Sequence, residues 1–285
     1  MTQVANNKQS KANSLMVAKE IARYLNTGES DSFPLGYADN AMDSLASHKR
    51  LLLQALCTEV KRRASGLPKM SGAKKLTLTP STQVALHQMI AGLFPKSERD
   101  IVRSVVDRSI VFLSADVVYQ AMNEVSFLHT AWLIANVYLE SIDRKPFAPR
   151  ADVPVGFNEE KTCYVSTRYF ETENPFADYV LHEAAHIFHN CKRKTVGLAD
   201  SKKKEWLLNI DFRKRETFAY ACEFYGRILS AAKSTKERRL QLADFAKRPH
   251  ISEEIVDQNE LLDILGEAVR KRNGWKIILT RCSQS

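Results

Sequence analysis

Apolar residues recur along this chain mainly at spacings of three and four, the period of an α-helix with one buried face. Leu15, Val17, Ile21 and Leu25 mark such a face over 14–25, and a stretch rich in Gly, Ser, Asp and Pro at 26–40 reads as a loop. Leu45, Leu52, Leu56 and Val60 resume the helical pattern over 41–64, with Lys49-Arg50 and Lys61-Arg62-Arg63 outward. Residues 66–75 form a basic connector. A third helix is predicted over 80–94, capped by Ser81 or Thr82 and broken by Pro95. A fourth opens at Ser97, with acids in its first turn and Ile101, Val105 and Val106 inward. Residues 1–12, rich in Asn, Gln and Lys, read as a flexible tail, so 13–108 is expected to be a helical N-terminal region. It contains no repeat and nothing that resembles a catalytic motif.

From residue 109 the pattern is mixed. Ile110-Val111-Phe112-Leu113 predicts a short strand, and Ser114-Ala115-Asp116 leads into a long helix over 117–142. Phe127, Leu128, Trp132, Leu133, Ile134, Val137 and Leu139 cover much of that helix's circumference, which predicts burial. After a Pro-rich loop at 145–154, residues 153–157 and 162–166 read as two strands joined by the polar turn Asn158-Glu159-Glu160-Lys161. An edge strand there is placed to hold an extended peptide by main-chain pairing. Asn174-Pro175 starts the next helix, with Asp178 as an acid in its first turns. Helices follow from 216 to 232 and through the tail (Leu240, Phe245, then 251–269), ending in a strand at 275–279. The predicted class is α+β, mostly α-helical, with a small β-hairpin ahead of the helix around 180–189.

That helix carries the candidate chemistry. It reads Val180-Leu181-His182-Glu183-Ala184-Ala185-His186-Ile187-Phe188-His189, an H-E-x-x-H match in an apolar setting. Residues four apart on a helix lie one above the other, so His182 and His186 can offer two imidazoles to one metal ion. Glu183 follows the first ligand by one position. Its carboxylate then falls beside the metal, where it can take a proton from a metal-bound water. Cys191 is five positions beyond His186 and off the ligand face. A second stretch, Glu216-Thr217-Phe218-Ala219-Tyr220-Ala221-Cys222-Glu223-Phe224-Tyr225, places two carboxylates two turns apart among apolar neighbours. An acid so placed is costly unless paired or bound to a cation. A His₂Glu zinc set needs one such carboxylate from a second helix, and the pattern leaves Glu216 and Glu223 both open.

Composition narrows the classes. In 285 residues, 44% are hydrophobic and 26% charged, the balance of an ordinary globular chain. No apolar run approaches the roughly 20 residues that cross a bilayer, and the polar start lacks a secretory core, so no membrane partner and a cytoplasmic location are expected. Five cysteines without C-x-x-C spacing fit reduced thiols. The net charge of +9 suits an acidic partner or nucleic acid, engaged through the basic loops at 192–215. There Lys192-Arg193-Lys194, Lys202-Lys203-Lys204 and Arg213-Lys214-Arg215 frame Trp206-Leu207-Leu208.

His182-Glu183-x-x-His186, followed thirty positions on by Glu216 with Phe218-Ala219, resembles the zincin metallopeptidases of the gluzincin type. The compact layout is similar to that of ImmA/IrrE-like peptidases found with phage-related and mobile-element regulators. The resemblance spans 150–230. In those proteins Ala-Asn separates the glutamate from the Phe-Ala pair, whereas Thr217 and Phe218 follow directly here, so Glu223 stays open beside Glu216. A metzincin-type Gly and third His are absent.

The resemblance implies a zincin-like metallopeptidase domain over 109–285. In it Zn²⁺ is held by His182, His186 and Glu216, and Glu183 is the general base for the attacking water. Oxyanion donors would be Tyr220, Tyr225 or Tyr164, and His189 would stand behind the ligands. The expected function is a zinc-dependent endopeptidase acting on a specific intracellular protein or peptide substrate. The alternative is a nucleic-acid-binding regulator, or a defence or mobile-element protein, in which the zincin fold is a sensor or scaffold. A structural zinc domain is a third class, but such a site has no use for a base at Glu183.

Overall fold

The structure, a computed structural model, describes residues 2–31, 41–66, 78–154, 156–159, 162–171, 178–200, 204–247 and 255–283. In chain order its helices are α1 (Thr2–Thr27), α2 (Ala41–Arg63), α3 (Pro80–Leu93), α4 (Arg99–Ser109), α5 (Val118–Glu124), α6 (Leu128–Ser141), α7 (Tyr179–Asn190), α8 (Arg215–Ala231), α9 (Thr235–Phe245), α10 (Gln258–Ala268) and α11 (Gly274–Cys282). Strands β1 (Ile110–Phe112), β2 (Gly156–Glu159) and β3 (Thr162–Val165) form one sheet in the order β1-β3-β2. The chain is therefore α+β and mostly helical. None of its described helices is long and apolar enough to cross a membrane.

The chain divides into two compact units. One comprises Met1–Lys74, Phe112–Val155 and Ser166–Arg168. In it α2 packs against α1, α5 and α6, and Leu52, Leu56 and Val60, expected inward, are fully buried. Tyr24 is also fully buried; its hydroxyl donates to the Leu128 carbonyl at 2.7 Å, while Trp132 Nε1 donates to Leu25 O at 2.9 Å. Leu15 and Leu45, also expected inward, are 59% and 45% exposed. Helix α1 begins at Thr2 and takes in residues that their polarity assigns to a tail; no Gly or Pro interrupts it before Thr27. The single helix predicted over 117–142 is two, α5 and α6, parted at Val125 to Phe127. The break is satisfied from a distant element. Lys49 Nζ donates to Val125 O at 3.3 Å and Ser126 O at 2.9 Å, replacing the helical N–H partners those carbonyls would otherwise use.

The second unit comprises Lys75–Val111, Gly156–Val165 and Tyr169–Ser285. Helix α8 is its hub, packed against α3, α7, α9, α10 and α11. Strands β2 and β3 pair antiparallel from Gly156↔Val165 to Glu159↔Thr162, confirming the hairpin two or three residues later at its first strand than expected. Both strands pack on α7. Residues 160–161 of the predicted turn, and the Asn174-Pro175 helix start, lie outside the described residues.

Three local expectations are corrected in this unit. Thr79, not Ser81 or Thr82, caps α3, its hydroxyl accepting from Thr82 N at 3.2 Å. In α4 the inward face is Val102, Val105 and Val106, with Ile101 36% exposed. The strand expected at 275–279 is the helix α11, opened by the Asn273 side chain on Lys276 N. Trp275, Ile278 and Cys282 are buried at spacings of three and four, so the apolar run has helical rather than alternating burial.

Two close approaches hold α8 and its neighbours together. A Cβ at Gly226 of α8 would lie 2.6 Å from Leu181 Cδ1 of α7, so the glycine lets the two helices approach. On α3, a Cβ at Gly92 would fall on the Trp275 side chain of α11. Gly92→Ala should therefore lower stability by about 1–3 kcal/mol through overpacking, despite gaining up to about 1 kcal/mol of helix propensity. Urea unfolding monitored by helical circular dichroism checks the sign: a stabilised variant would contradict this packing.

Candidate metal centre

Helix α7 is held at its start by a buried acid. Asp178, 2% exposed, accepts from Leu181 N at 3.4 Å, capping the helix, and from Tyr169 Oη and Thr82 Oγ1, each at 2.9 Å. Burial pushes the Asp178 carboxyl up, against the hydrogen bonds of Thr82, Tyr169 and Leu181 and the charge of Arg227, whose Nη1 is 4.0 Å away. Along α7, Val180, Leu181, Ala184, Ala185, Ile187 and Phe188 are completely buried. His182, Glu183, His186 and His189 form the polar stripe that the apolar background isolates.

The structure brings His182, His186 and Glu216 together, with one ligand atom from each lying within 4.8 Å of the others. The two Nε2 atoms are 3.1 Å apart. Glu216 Oε2 is 3.8 Å from His182 Nε2, and Oε1 is 3.6 Å from His186 Nε2. Tetrahedral zinc with bonds near 2.1 Å separates its ligands by about 3.4 Å, so the three edges bracket the spacing such an ion needs. Charge points the same way. Glu183 and Glu223 are buried, Glu216 is half-exposed, and all three carboxylates act on two imidazoles. A divalent cation would offset most of that negative charge. The donor set fits zinc.

The second face of each imidazole is also engaged. Glu223 Oε2 lies 3.2 Å from His182 Nδ1, and its Oε1 accepts from Asp178 N at 2.7 Å. Of the two carboxylates left open on α8, Glu216 meets the Nε2 atoms and Glu223 stands behind His182. His189 Nε2 lies 2.9 Å from His186 Nδ1, and His189 Nδ1 is 3.0 Å from Asn190 Oδ1. Burial disfavours the His182 imidazolium, but Glu223, then Glu183 and Glu216, outweigh it and raise its basicity. Burial, with the positive charges of His186 and Arg215, lowers His189 to about 3, leaving it neutral at ordinary pH. Glu216 is held below the usual carboxylate range chiefly by its hydrogen bond with His186.

Two further groups complete the setting. Burial pushes the Glu183 carboxyl up even though both histidines pull it down, giving a carboxylate of increased proton affinity between the two ligands in sequence. The Tyr220 ring packs edge-on against His182 with centroids 4.4 Å apart, and burial pushes its phenol to about 12, so it keeps its proton. Tyr225 is committed elsewhere: its hydroxyl accepts from Gly274 N at 3.2 Å and its ring packs on Trp275. The Tyr164 ring packs against Phe157 of the paired strand. Cys191 is not in the cluster; its Sγ lies 3.8 Å from Lys192 O and from Thr195 Oγ1.

Sequence reasoning missed a buried ion pair behind α7. Arg193, 5% exposed, makes a two-pronged contact with Glu98 at 2.7 and 3.1 Å, and its Nε donates to Ala199 O. No local pattern joins residues ninety-five positions apart, although one arginine of a basic cluster preceding an apolar turn was available to be questioned. Compared with models of known protein families, with curated proteins and with solved structures, the chain matches none.

The Arg193 guanidinium holds Glu98 below its usual value of 4.5. A lowered acid stabilises the fold fully above that value and loses its contribution as pH falls through the lowered one. Glu98→Gln should cost about 3 kcal/mol at neutral pH by leaving Arg193 unpaired, and the gap to wild type should close as pH falls from 4.5 through the lowered value. Urea titrations of both proteins across that range would show it; a gap independent of pH would contradict the pairing. At the cluster itself, Glu216→Ala should abolish tight zinc binding, whereas Glu223→Ala should weaken it by about 10–100-fold. Competition with a zinc chelator separates the two, and equal losses would place both carboxylates on the ion.

Proposed function

We propose that this protein is a zinc-dependent endopeptidase that hydrolyses peptide bonds of a specific intracellular protein. One observation carries the reading. Two imidazoles of a single helix turn their Nε2 atoms toward a carboxylate of a second helix, while each Nδ1 is held from behind. A structural site could share those three ligands. The buried Glu183 beside them favours hydrolysis, because a carboxylate of raised proton affinity is suited to general base work.

His182, His186 and Glu216 would hold the ion, which when bound supplies Lewis acidity to a peptide carbonyl and to water. Glu183 would accept the proton of the attacking water on its carboxylate and return it to the departing amine. Tyr220, still protonated at neutral pH, would donate its hydroxyl hydrogen to the oxygen of the tetrahedral adduct. Glu223 and His189 would orient the imidazoles. Strand β2, outermost on its side of the sheet and packed on α7, would pair with the backbone of an extended substrate.

The test is metal content and proteolysis measured on the same samples of wild type, His182→Ala and Glu183→Gln. The expected result is one zinc per chain in wild type and Glu183→Gln, none in His182→Ala, and cleavage of a peptide library by wild type alone, with a loss of at least about 10³-fold in the Glu183 variant. Zinc bound without cleavage by any form would shift the protein to a sensor or scaffold. An apo wild type would end the metal reading altogether.

A further inference from the structure

The basic stretch after α7 is not uniformly available to a partner. Lys192 pairs with Glu205 at 2.6 Å, Arg193 is enclosed with Glu98, and Lys214 pairs with Glu260 at 2.6 Å. Arg215 is different. It immediately precedes Glu216 at the start of α8 and is half-buried, yet among the described residues no carboxylate pairs with it. Its Nε is shielded from solvent and has no hydrogen-bond partner. The guanidinium lies over the Phe212 ring, 5.4 Å from its centroid, and Phe212 is itself 76% exposed. Arg215 and Glu216 are consecutive in the first turn of α8, so the cation is carried on the same turn as the proposed ligand carboxylate.

An arginine in this state is a receptor in waiting. Stacking on an aromatic face limits the freedom of the guanidinium plane, and the fork of donors is left to meet a carboxylate from solution. Phe212 adds an exposed apolar surface beside that fork. We infer that Arg215, backed by Phe212, receives a carboxylate of the bound peptide, making the protein selective for substrates with an acidic group close to the cleaved bond. This rests on the peptidase reading above. The carboxylate can come from an Asp or Glu side chain or from the peptide C-terminus.

The test uses full-length, zinc-loaded Glu183→Gln protein, which should bind without turnover, and three fluorescent peptides of otherwise identical sequence. One carries an internal Glu and an amidated end, the second an internal Gln and a free C-terminus, and the third an internal Gln and an amidated end. Anisotropy titrations should show one carboxylate peptide binding about tenfold more tightly than the neutral one, and which of the two does so identifies the source. Adding Arg215→Gln should erase that advantage and Arg215→Lys restore part of it, while Arg213→Gln, on an exposed neighbour, should leave the preference in place. Equal binding of all three peptides, or a preference that survives Arg215→Gln, would overturn the inference. The same peptides offered to wild type separate the two questions. If none is cut but the Arg215-dependent preference persists, the anion receptor stands and the peptidase reading falls.

Discussion

Two imidazole nitrogens 3.1 Å apart, facing a carboxylate from another helix, impose a demand that the rest of the second unit answers. Imidazoles rotate, and a ring turned over would present its Nδ1 instead. Glu223 and His189 remove that freedom by occupying the two Nδ1 atoms. Glu216 then has to arrive from α8 at the right depth. Gly226, where a side chain would meet Leu181, lets α7 and α8 approach closely enough for a glutamate to span the gap. Convergence of three donors is thus a property of a helix pair rather than of any one motif.

That pair is anchored outward through polar contacts that are themselves buried. Glu223 takes a hydrogen bond from the Asp178 amide, and the Asp178 carboxylate takes others from Tyr169 and from Thr82 of α3. A line of contacts therefore runs from α3 to the back of His182. Buried networks of this sort hold geometry only when every member is satisfied, because an orphaned carboxylate inside the fold is costly. Arg193 and Glu98 perform a comparable task on the other side, tying the segment after α7 to the turn before α4. Each end of the helix carrying the histidines is consequently fixed by a distant residue.

Charge is divided by the same logic. A net +9 invites the idea of a polyanion partner, yet near the cluster three of the basic residues are neutralised within the unit. Among the described residues Lys194, Lys204 and Arg213 remain exposed, and Arg215 lies over an aromatic ring next in sequence to a proposed ligand carboxylate. In the reading proposed above, Arg215 would discriminate among short acidic groups.

The spacing of His182, Glu183 and His186 was legible from the sequence because four residues make about one helical turn, and the geometry of one turn needs no tertiary information. The helical faces of α2 and α8 and the β2–β3 hairpin were legible for the same reason, being local periodicities. Glu216 and Glu223 could not be ranked that way. They lie two turns apart on one face, and which of them reaches the Nε2 atoms depends on the register of α8 against α7. The division of 117–142 into two helices was equally hidden, since the donor that accepts the break, Lys49, comes from α2. A short apolar run such as 275–279 fits either period until its neighbours decide which residues are covered. Sequence by itself determined which groups could act together within a turn; only the tertiary structure decided which groups from separate turns meet, because that depends on distances between elements that no local pattern encodes.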